Sequence, residues 1–373
     1  MTAFVNPIDL SARFMKAFGV MPRIFVGPGR INIIGEHVDY CGGMVMPAAI
    51  DRACYVAVAP NDLGIMRVHS DFGQAEIALD RFVKSGDWQD YVAGMAFALM
   101  EAGETVTGHD LIIQSDVPIG AGVSSSAALE VSVGLALTGG DVGGPRLAQI
   151  AQRSENHFVG MNCGIMDQFA SANGVADHAL LLDCESLAYE KLNVPSGACF
   201  LLVDSGVKHS HVSGGYASRR ADCEAAAATL GVKLLCDIVD MSALTGLAGN
   251  TLKRARHVVS EIARTRAARQ ALAAGDLVTL GALMNQSHTS LSVDMEVSTP
   301  EVDILAAIIQ SISGVYGARM MGGGFGGSVI ALVDQAQVET AQAQIMDHYS
   351  KHLGRLPDSF IAKLAQGAHE WLS

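Results

Sequence analysis

DVPIGAGVSSSAALE (residues 116–130) follows the apolar run LIIQS (111–115) and leads into the apolar stretch VSVGLAL (131–137). A strand that enters a glycine loop and leaves it as a helix exposes first-turn N–H groups at the positive end of the helix dipole, which is an anion site. Gly120 and Gly122 let a phosphate approach the backbone, and the hydroxyls of Ser124, Ser125 and Ser126 can reach phosphate oxygens or Mg2+. The lysine of G-x-x-x-x-G-K-[ST] is absent, so this is not a Walker loop. Ser124 is the expected N-cap of the helix, and three consecutive serines exceed what a cap needs.

Downstream, SENHFVGMNCGIMDQFAS (154–171) holds Glu155 near a helix end and Asp167 in an apolar, glycine-preceded setting. A carboxylate in such surroundings can serve as a base or a metal ligand. Upstream, GPGRINIIGEHVDYCGG (27–43) gathers Arg30, Glu36, His37 and Asp39 between glycines. This reads as a binding loop between strands, with carboxylates and an imidazole suited to several hydroxyls. RMMGGGFGGSVIALV (319–333) carries five glycines in six residues. Gly322, Gly324 and Gly327 match G-x-G-x-x-G, but a β-branched strand follows instead of a helix, which argues against a dinucleotide fold. The loop reads as support for another loop or as a flap over phosphates. His209 and His211 have no third ligand candidate nearby, so no metal site is expected there. Trp88 and Tyr91 could flank an adenine or pack the core, and the 16 methionines read as core filler.

In the chain of 373 residues, 50% are hydrophobic and 17% charged, which excludes disorder and supplies a large core. A net charge of −13 and a pI of about 5.3 argue against nucleic-acid and anionic-membrane partners. Mean hydropathy is +0.29, yet the best apolar runs, 91–100 and 328–333, are too short to span a bilayer. The N-terminal stretch lacks a signal-peptide pattern, and seven cysteines without a C-x-x-C pair fit reduced thiols in a cytoplasmic protein. Patterning predicts helices over 5–18, 88–102, 124–138, 146–158, 216–230, 251–274, 276–285, 300–312 and 335–351. Strands are expected at 23–26, 45–50, 53–59, 65–69, 110–115, 179–183 and 198–204, with a strand–glycine loop–strand over 315–334. Without regular βαβ spacing this is an α+β fold, with lobes expected over 1–180 and 181–373.

Together the segments resemble the GHMP small-molecule kinases and, within that family, the galactokinases. GRINIIGEHVDY (29–40) resembles the sugar signature, PIGAGVSSSAALE (118–130) the phosphate loop and MGGGFGGS (321–328) the third motif. CGIMDQF (163–169), VKHSHVSGGYASRR (207–220) and MNQSHTSLSVDMEVSTPEVDIL (284–305) extend the likeness over most of the chain. The resemblance implies two α+β lobes with the active site in the cleft between them. It implies ATP-dependent phosphorylation of the anomeric hydroxyl of galactose, by a cytoplasmic monomer whose partners are the sugar and ATP. Asp167 would take the proton, with Arg30 beside it. Glu36, His37, Asp39, Gly164 and Tyr216 would hold sugar hydroxyls. Gly120, Gly122, Ser124, Ser125, Ser126 and Trp88 would serve ATP, with Ser126 and Glu155 as Mg2+ ligands. Cys41, Met321, Ser328 and the Gly214–Gly215 pair depart from the common pattern. Cys41 and the glycine pair would leave room for a related sugar such as an arabinose or a galacturonate. A catalytically silent sugar sensor on the same scaffold is the alternative, against which Asp167, Arg30 and the serine loop all stand.

Overall fold

The computed structural model describes residues 4–207 and 212–372. Helix α1 (Pro7–Phe18) starts where the Asn6 side chain accepts from the Ile8 amide and stops at left-handed Gly19. Strand β1 (Arg23–Asn32) runs antiparallel to β3 (Pro47–Pro60), with the short β2 (Met44–Val45) between them in sequence. β4 (Ile65–Ser70) and β5 (Gly73–Ala78) form a hairpin, α2 (Gln89–Glu101) follows, and β6 (His109–Ser115) inserts between β3 and β4. Next come α3 (Ser125–Leu137), α4 (Gly144–Arg153) with a π-helical turn over Ser154–Val159, and α5 (Met166–Asn173). The hairpin of β7 (His178–Asp183) and β8 (Tyr189–Asn193) pairs with β2.

The second half contains β9 (Ala198–Asp204), α6 (Val212–Leu230), α7 (Gly249–Ala273), α8 (Leu277–Val293) and α9 (Pro300–Gln310). It continues with β10 (Val315–Met320), β11 (Ser328–Asp334), α10 (Val338–Leu353), β12 (Ser359–Ala362) and β13 (His369–Trp371). The first sheet has the order β13-β1-β3-β6-β4-β5 and the second β10-β11-β9-β12. The last strand thus returns to the edge of the first sheet, beside β1. One continuous apolar core runs from Phe25 and Val56 in the first sheet through Val131 and Phe169 to Leu201 and Val333 in the second. A small separate cluster of Leu10, Phe14, Ile24 and Ile112 lies under α1. Among the described residues no helix is long and apolar enough to cross a membrane.

β1 is buried along nearly its whole length, and α3 and α5 lie against β1 and β3. A Cβ at Gly27 would sit 2.4 Å from the Ala128 carbonyl oxygen, and one at Gly29 would sit 2.8 Å from that of Val123. The absent side chains let α3 press onto the strand, so the start of α3 comes to rest over Arg30. The Arg30 amide donates to Val123 O at 3.1 Å, just past a register shift at Pro28. Residues 27–32 were expected in a binding loop, but they form the continuation of a buried strand. Pairing with β3 decides that, and local glycine content does not. The strands expected at 45–50 and 53–59 are one strand, β3, the helix expected over 146–158 ends at Arg153 in the π-helical turn, and the helix expected over 276–285 runs on to Val293; most other expected elements are present with shifted ends. α5, β5, β8, β12 and β13 are additional, and each is eight residues or fewer, too short for a hydrophobic period to register.

Candidate active site

Asp167 lies in the first turn of α5, directly opposite Arg30 of β1. The guanidinium grips it with both prongs, Nε to Oδ1 at 2.8 Å and Nη2 to Oδ2 at 2.9 Å. Arg30 also donates through Nη1 to the Gly122 carbonyl. The arginine is 4% exposed and the carboxylate 30%, so the cation is fixed inside while the acid remains reachable. Burial opposes the Arg30 charge, but Asp167 and Glu36 outweigh it and its pKa rises above the ordinary value.

Ser124 completes this group, because its hydroxyl donates to Asp167 Oδ2. The expected side-chain N-cap does not form. Ser124 has φ +60° and ψ +55°, a left-handed conformation that turns the hydroxyl away from the α3 amides and toward the acid. The first-turn N–H groups of α3 are therefore left without a serine cap, beside Gly120 and Gly122 with φ of +79° and +74°. Ser125 and Ser126 stand in that first turn, half-buried.

Beside Asp167 opens a cavity of about 240 Å³, lined from both halves of the chain. Arg30, Glu36, His37, Asp39, Asp167 and Tyr216 face it, together with Gly164 and the Gly322–Gly323 backbone. Glu36 is held by the fully buried Arg319 of β10 at 2.9 Å, and the Glu36 carbonyl by His257 Nε2 at 3.0 Å. His37 Nε2 bonds Gly323 O at 3.2 Å, which assigns the proton to that nitrogen and leaves Nδ1 to accept from Tyr40 Oη at 3.0 Å. Burial, with His257 and two arginines nearby, pushes the His37 pKa down to about 3, so the ring is neutral. Burial and then Asp167 push Asp39 up to about 7. A Cβ on Gly164 would lie 1.8 Å from Asp39 Oδ2, so only glycine fits against that carboxylate. Tyr216 closes the cavity from α6, its ring centroid 5.4 Å from that of His37 and 5.3 Å from that of Tyr40.

Glu155 stands in the π-helical turn at the end of α4 and also lines the cavity. Gln168, next to Asp167, donates through Nε2 to Glu155 Oε2 at 2.6 Å and to Glu130 Oε2 at 3.4 Å. Burial, then the Asp167 charge, pushes Glu155 up to about 7, with Ser126 among the groups that temper it. Gln168, Glu130, Arg319 and His257 escaped the sequence reading, although each lies in or beside a quoted segment or a predicted helix. Their partners are distant in the chain, and nothing local marks them as buried.

The structure assigns other places to the remaining candidates. Trp88 is half-buried at the N-terminal end of α2 and is not among the residues lining the cavity. Cys41 is buried and likewise absent from the lining, with its thiol toward Cys223. Met321 is buried, its sulfur accepting from the Asn32 amide at 3.4 Å, and Ser328 is buried at the start of β11. The Gly214–Gly215 pair was expected to leave room beside the sugar. A Cβ at Gly215 would meet the Phe325 ring at 2.4 Å, so the space at Gly215 is filled from the third motif, whereas a Cβ at Gly214 would meet no described atom within 4 Å. His209 and His211 lie outside the described residues.

Comparison with known proteins places these features in a family. The galactokinase galactose-binding signature matches residues 12–60, the GHMP kinase N-terminal domain 90–175 and the GHMP kinase C-terminal domain 268–351. A galactokinase of Roseiflexus sp. (strain RS-1) is 41% identical over 96% of this chain and 96% of its own. One from Mannheimia succiniciproducens is 42% identical over 98% of this chain and 100% of its own. The structure of Lactococcus lactis galactokinase complexed with galactose is 33% identical and superposes with a TM-score of 0.93 over 98% of this chain and 100% of that one. Methanococcus jannaschii mevalonate kinase, 17% identical, shares the fold with a TM-score of 0.66 over 92% of this chain and 99% of its own.

Proposed function

The chain belongs to the GHMP kinases and, within them, to the galactokinases, and from that premise we propose that it transfers the γ-phosphoryl group of ATP to the anomeric C1 hydroxyl of D-galactose. The observation that carries the residue assignment is the Arg30–Asp167–Ser124 group, in which two cavity-lining residues, Arg30 and Asp167, bond Gly122 and Ser124 at the start of α3. Asp167 takes the proton from O1, which is more acidic than an ordinary alcohol oxygen. The O1 lone pair forms the bond to the γ-phosphorus, the bond to the β–γ bridging oxygen breaks, and ADP leaves. Arg30 orients the carboxylate and offsets charge on the transferred group. The α3 N–H groups and the Gly120–Gly122 backbone cradle the phosphates, with Ser124, Ser125 and Ser126 at the loop's exit.

Glu36, His37, Asp39, Gly164 and Tyr216 read the sugar hydroxyls. An acceptor left unpaired at the cavity wall penalises an epimer heavily, which makes buried Glu36 and half-buried Asp39 the discriminating groups. Arg30 is the only arginine or lysine among the cavity-lining residues described, and it is committed to Asp167 and Gly122. His37 is neutral. Among the described residues that line the cavity a uronate carboxylate therefore has no uncommitted counter-charge, and a neutral sugar is favoured.

The donors also suit Mg2+ carried with ATP. Ser126 and Glu155 offer hard oxygens, Asp167 adds negative charge, and Gln168 Oε1 has no hydrogen-bond partner among the described residues. When bound there, the ion would neutralise phosphate charge. Trp88 would contribute on the nucleobase side.

Coupled ADP release tests the reading, over D-galactose, 2-deoxygalactose, N-acetylgalactosamine, L-arabinose, D-galacturonate and D-glucose. Preference for D-galactose is expected. Preference for arabinose or galacturonate would overturn the choice of sugar, and binding of galactose and ATP without ADP release would indicate a silent sensor.

A further inference from the structure

The loop between β10 and β11 touches three parts of the site at once. Gly322 packs on Gly122 of the phosphate loop, where a Cβ at Gly322 would lie 3.3 Å from the Gly122 Cα. The Gly323 carbonyl takes the His37 hydrogen bond at 3.2 Å. Phe325 reaches the helix that carries Tyr216. Its backbone is left-handed, φ +60°, a conformation that side-chain-bearing residues rarely adopt, and its amide is pinned to Val297 O at 2.6 Å. The ring then lies in the notch of Gly215, where a Cβ would be 2.4, 2.6 and 2.9 Å from three of its carbons. The Arg219 guanidinium carbon is 5.6 Å from the ring centroid, one helical turn further on. Arg219 itself donates to Met295 O at 2.6 Å and Glu296 O at 2.8 Å, so α6 is fixed on the same side by two supports.

Two adjacent glycines separate this contact from mere helix chemistry. Gly214 and Gly215 both sit in the first turn of α6, where glycine is a poor helix former. A Cβ on Gly214 would meet no described atom within 4 Å, whereas one on Gly215 would strike the ring. The third motif was read from the sequence as support for another loop. The contacts show that it supports a helix as well.

We propose that Phe325 is a positioning residue for the sugar: seated in the Gly215 notch, its ring sets the register of α6, hence the place of Tyr216 over the cavity, and links the sugar pocket to the loop against the phosphates. This rests on the galactose kinase reading above. The ring is not among the residues that line the cavity and acts through Tyr216.

The test compares galactose and MgATP KM values for wild type, Gly214→Ala, Gly215→Ala, Phe325→Ala, Phe325→Leu and the Gly215→Ala/Phe325→Ala double variant. Gly215→Ala is expected to raise the galactose KM about tenfold while the MgATP KM changes less than about twofold. Gly214→Ala should match wild type, Phe325→Leu should retain most of the affinity that Phe325→Ala loses, and the double variant should recover galactose affinity relative to Gly215→Ala, because the methyl group then enters the space the ring has left. Equal effects of the two glycine substitutions, additive effects in the double variant, or an equal rise of both KM values would overturn the proposal. Hydrogen exchange of the 214–222 amides gives a readout that needs no substrate: faster exchange in Phe325→Ala supports the wedge, and unchanged exchange refutes it. If the wild type fails to phosphorylate galactose, the assigned function fails, and the exchange result still decides the role of Phe325.

Discussion

The chain has two glycine-rich loops with opposite duties. The loop over 118–124 ends in the helix α3, whose first turn has no side-chain cap, and its Gly122 and Val123 carbonyls accept from the cavity-lining Arg30. The loop over 321–327 ends in the strand β11, and its backbone is spent on neighbours: Phe325 N to Val297 O, Ser205 N to Gly327 O at 3.0 Å and Gly327 N to Val207 O at 3.3 Å. Glycine content is the same signal in both. The element that follows decides whether the freed backbone meets a ligand or the protein itself. Where the two loops meet, Gly122 against Gly322, binding and support are in direct contact.

The largest effect should come from the acid that the first loop organises. Asp167→Ala is expected to lower turnover about 10²- to 10⁴-fold and also to lower the melting temperature, because buried Arg30 loses its bidentate partner, whereas Asp167→Asn should lose comparable turnover with a smaller drop in melting temperature, measured by coupled ADP release and calorimetry. The second loop should fail in the other way. Gly324 has φ +81°, and a Cβ there would lie 2.4 Å from Val297 O, so Gly324→Ala should destabilise the fold by about 2–4 kcal/mol in denaturant melts. A Gly324→Ala protein with unchanged stability but lost nucleotide binding would erase the contrast between the loops.

Ser124→Ala sharpens the first loop. Its hydroxyl holds Asp167 and not the helix amides, so turnover should fall about tenfold or more while stability changes by less than the ~1 kcal/mol typical of a lost cap. A stability loss of that size with full turnover would restore the capping role.

A smaller effect lies at Asp39, which shares the cavity wall with Gly322 and Gly323 of the second loop. Asp39 has a folded pKa of about 7, above its ordinary value of 3.8, because burial and Asp167 disfavour its charge. The folded state therefore holds this proton more tightly than the unfolded state, and the group's contribution to stability falls as pH rises from about 4 to 7. Asp39→Asn should melt higher than wild type at pH 8, with the gap closing toward pH 4, while losing galactose affinity. A constant gap across that range would contradict the buried acid.

Most long elements and the order of the motifs could be read in advance, because amphipathic periods and glycine punctuation are local properties. Of the cavity lining, Arg30, Glu36, His37, Asp39, Glu155, Gly164, Asp167 and Tyr216 were named in advance, since polar groups clustered between glycines stand out in a chain poor in charge, whereas the candidates Gly120, Gly122, Ser124, Ser125, Ser126 and Trp88 are not among the residues that line it. The corrections share a cause. Residues 27–32 read as loop until β3 pairs with them, Ser124 reads as a cap until its left-handed backbone turns it, and Gly215 reads as empty space until Phe325 fills it. Short β13 carries no usable period and exists as an edge partner of β1.

By itself the sequence determined the α+β character, the strand–loop–helix that can receive phosphate and the set of groups able to read hydroxyls, because each follows from residue type and spacing over a few turns. Tertiary structure alone decided which of these groups work together. Arg30 meets Asp167 across 137 residues, Arg319 meets Glu36 across 283, and the Phe325 ring, between β10 and β11, meets Gly215 of α6. Such pairs depend on where the packed sheets and helices bring distant segments, and no short window of sequence contains both partners.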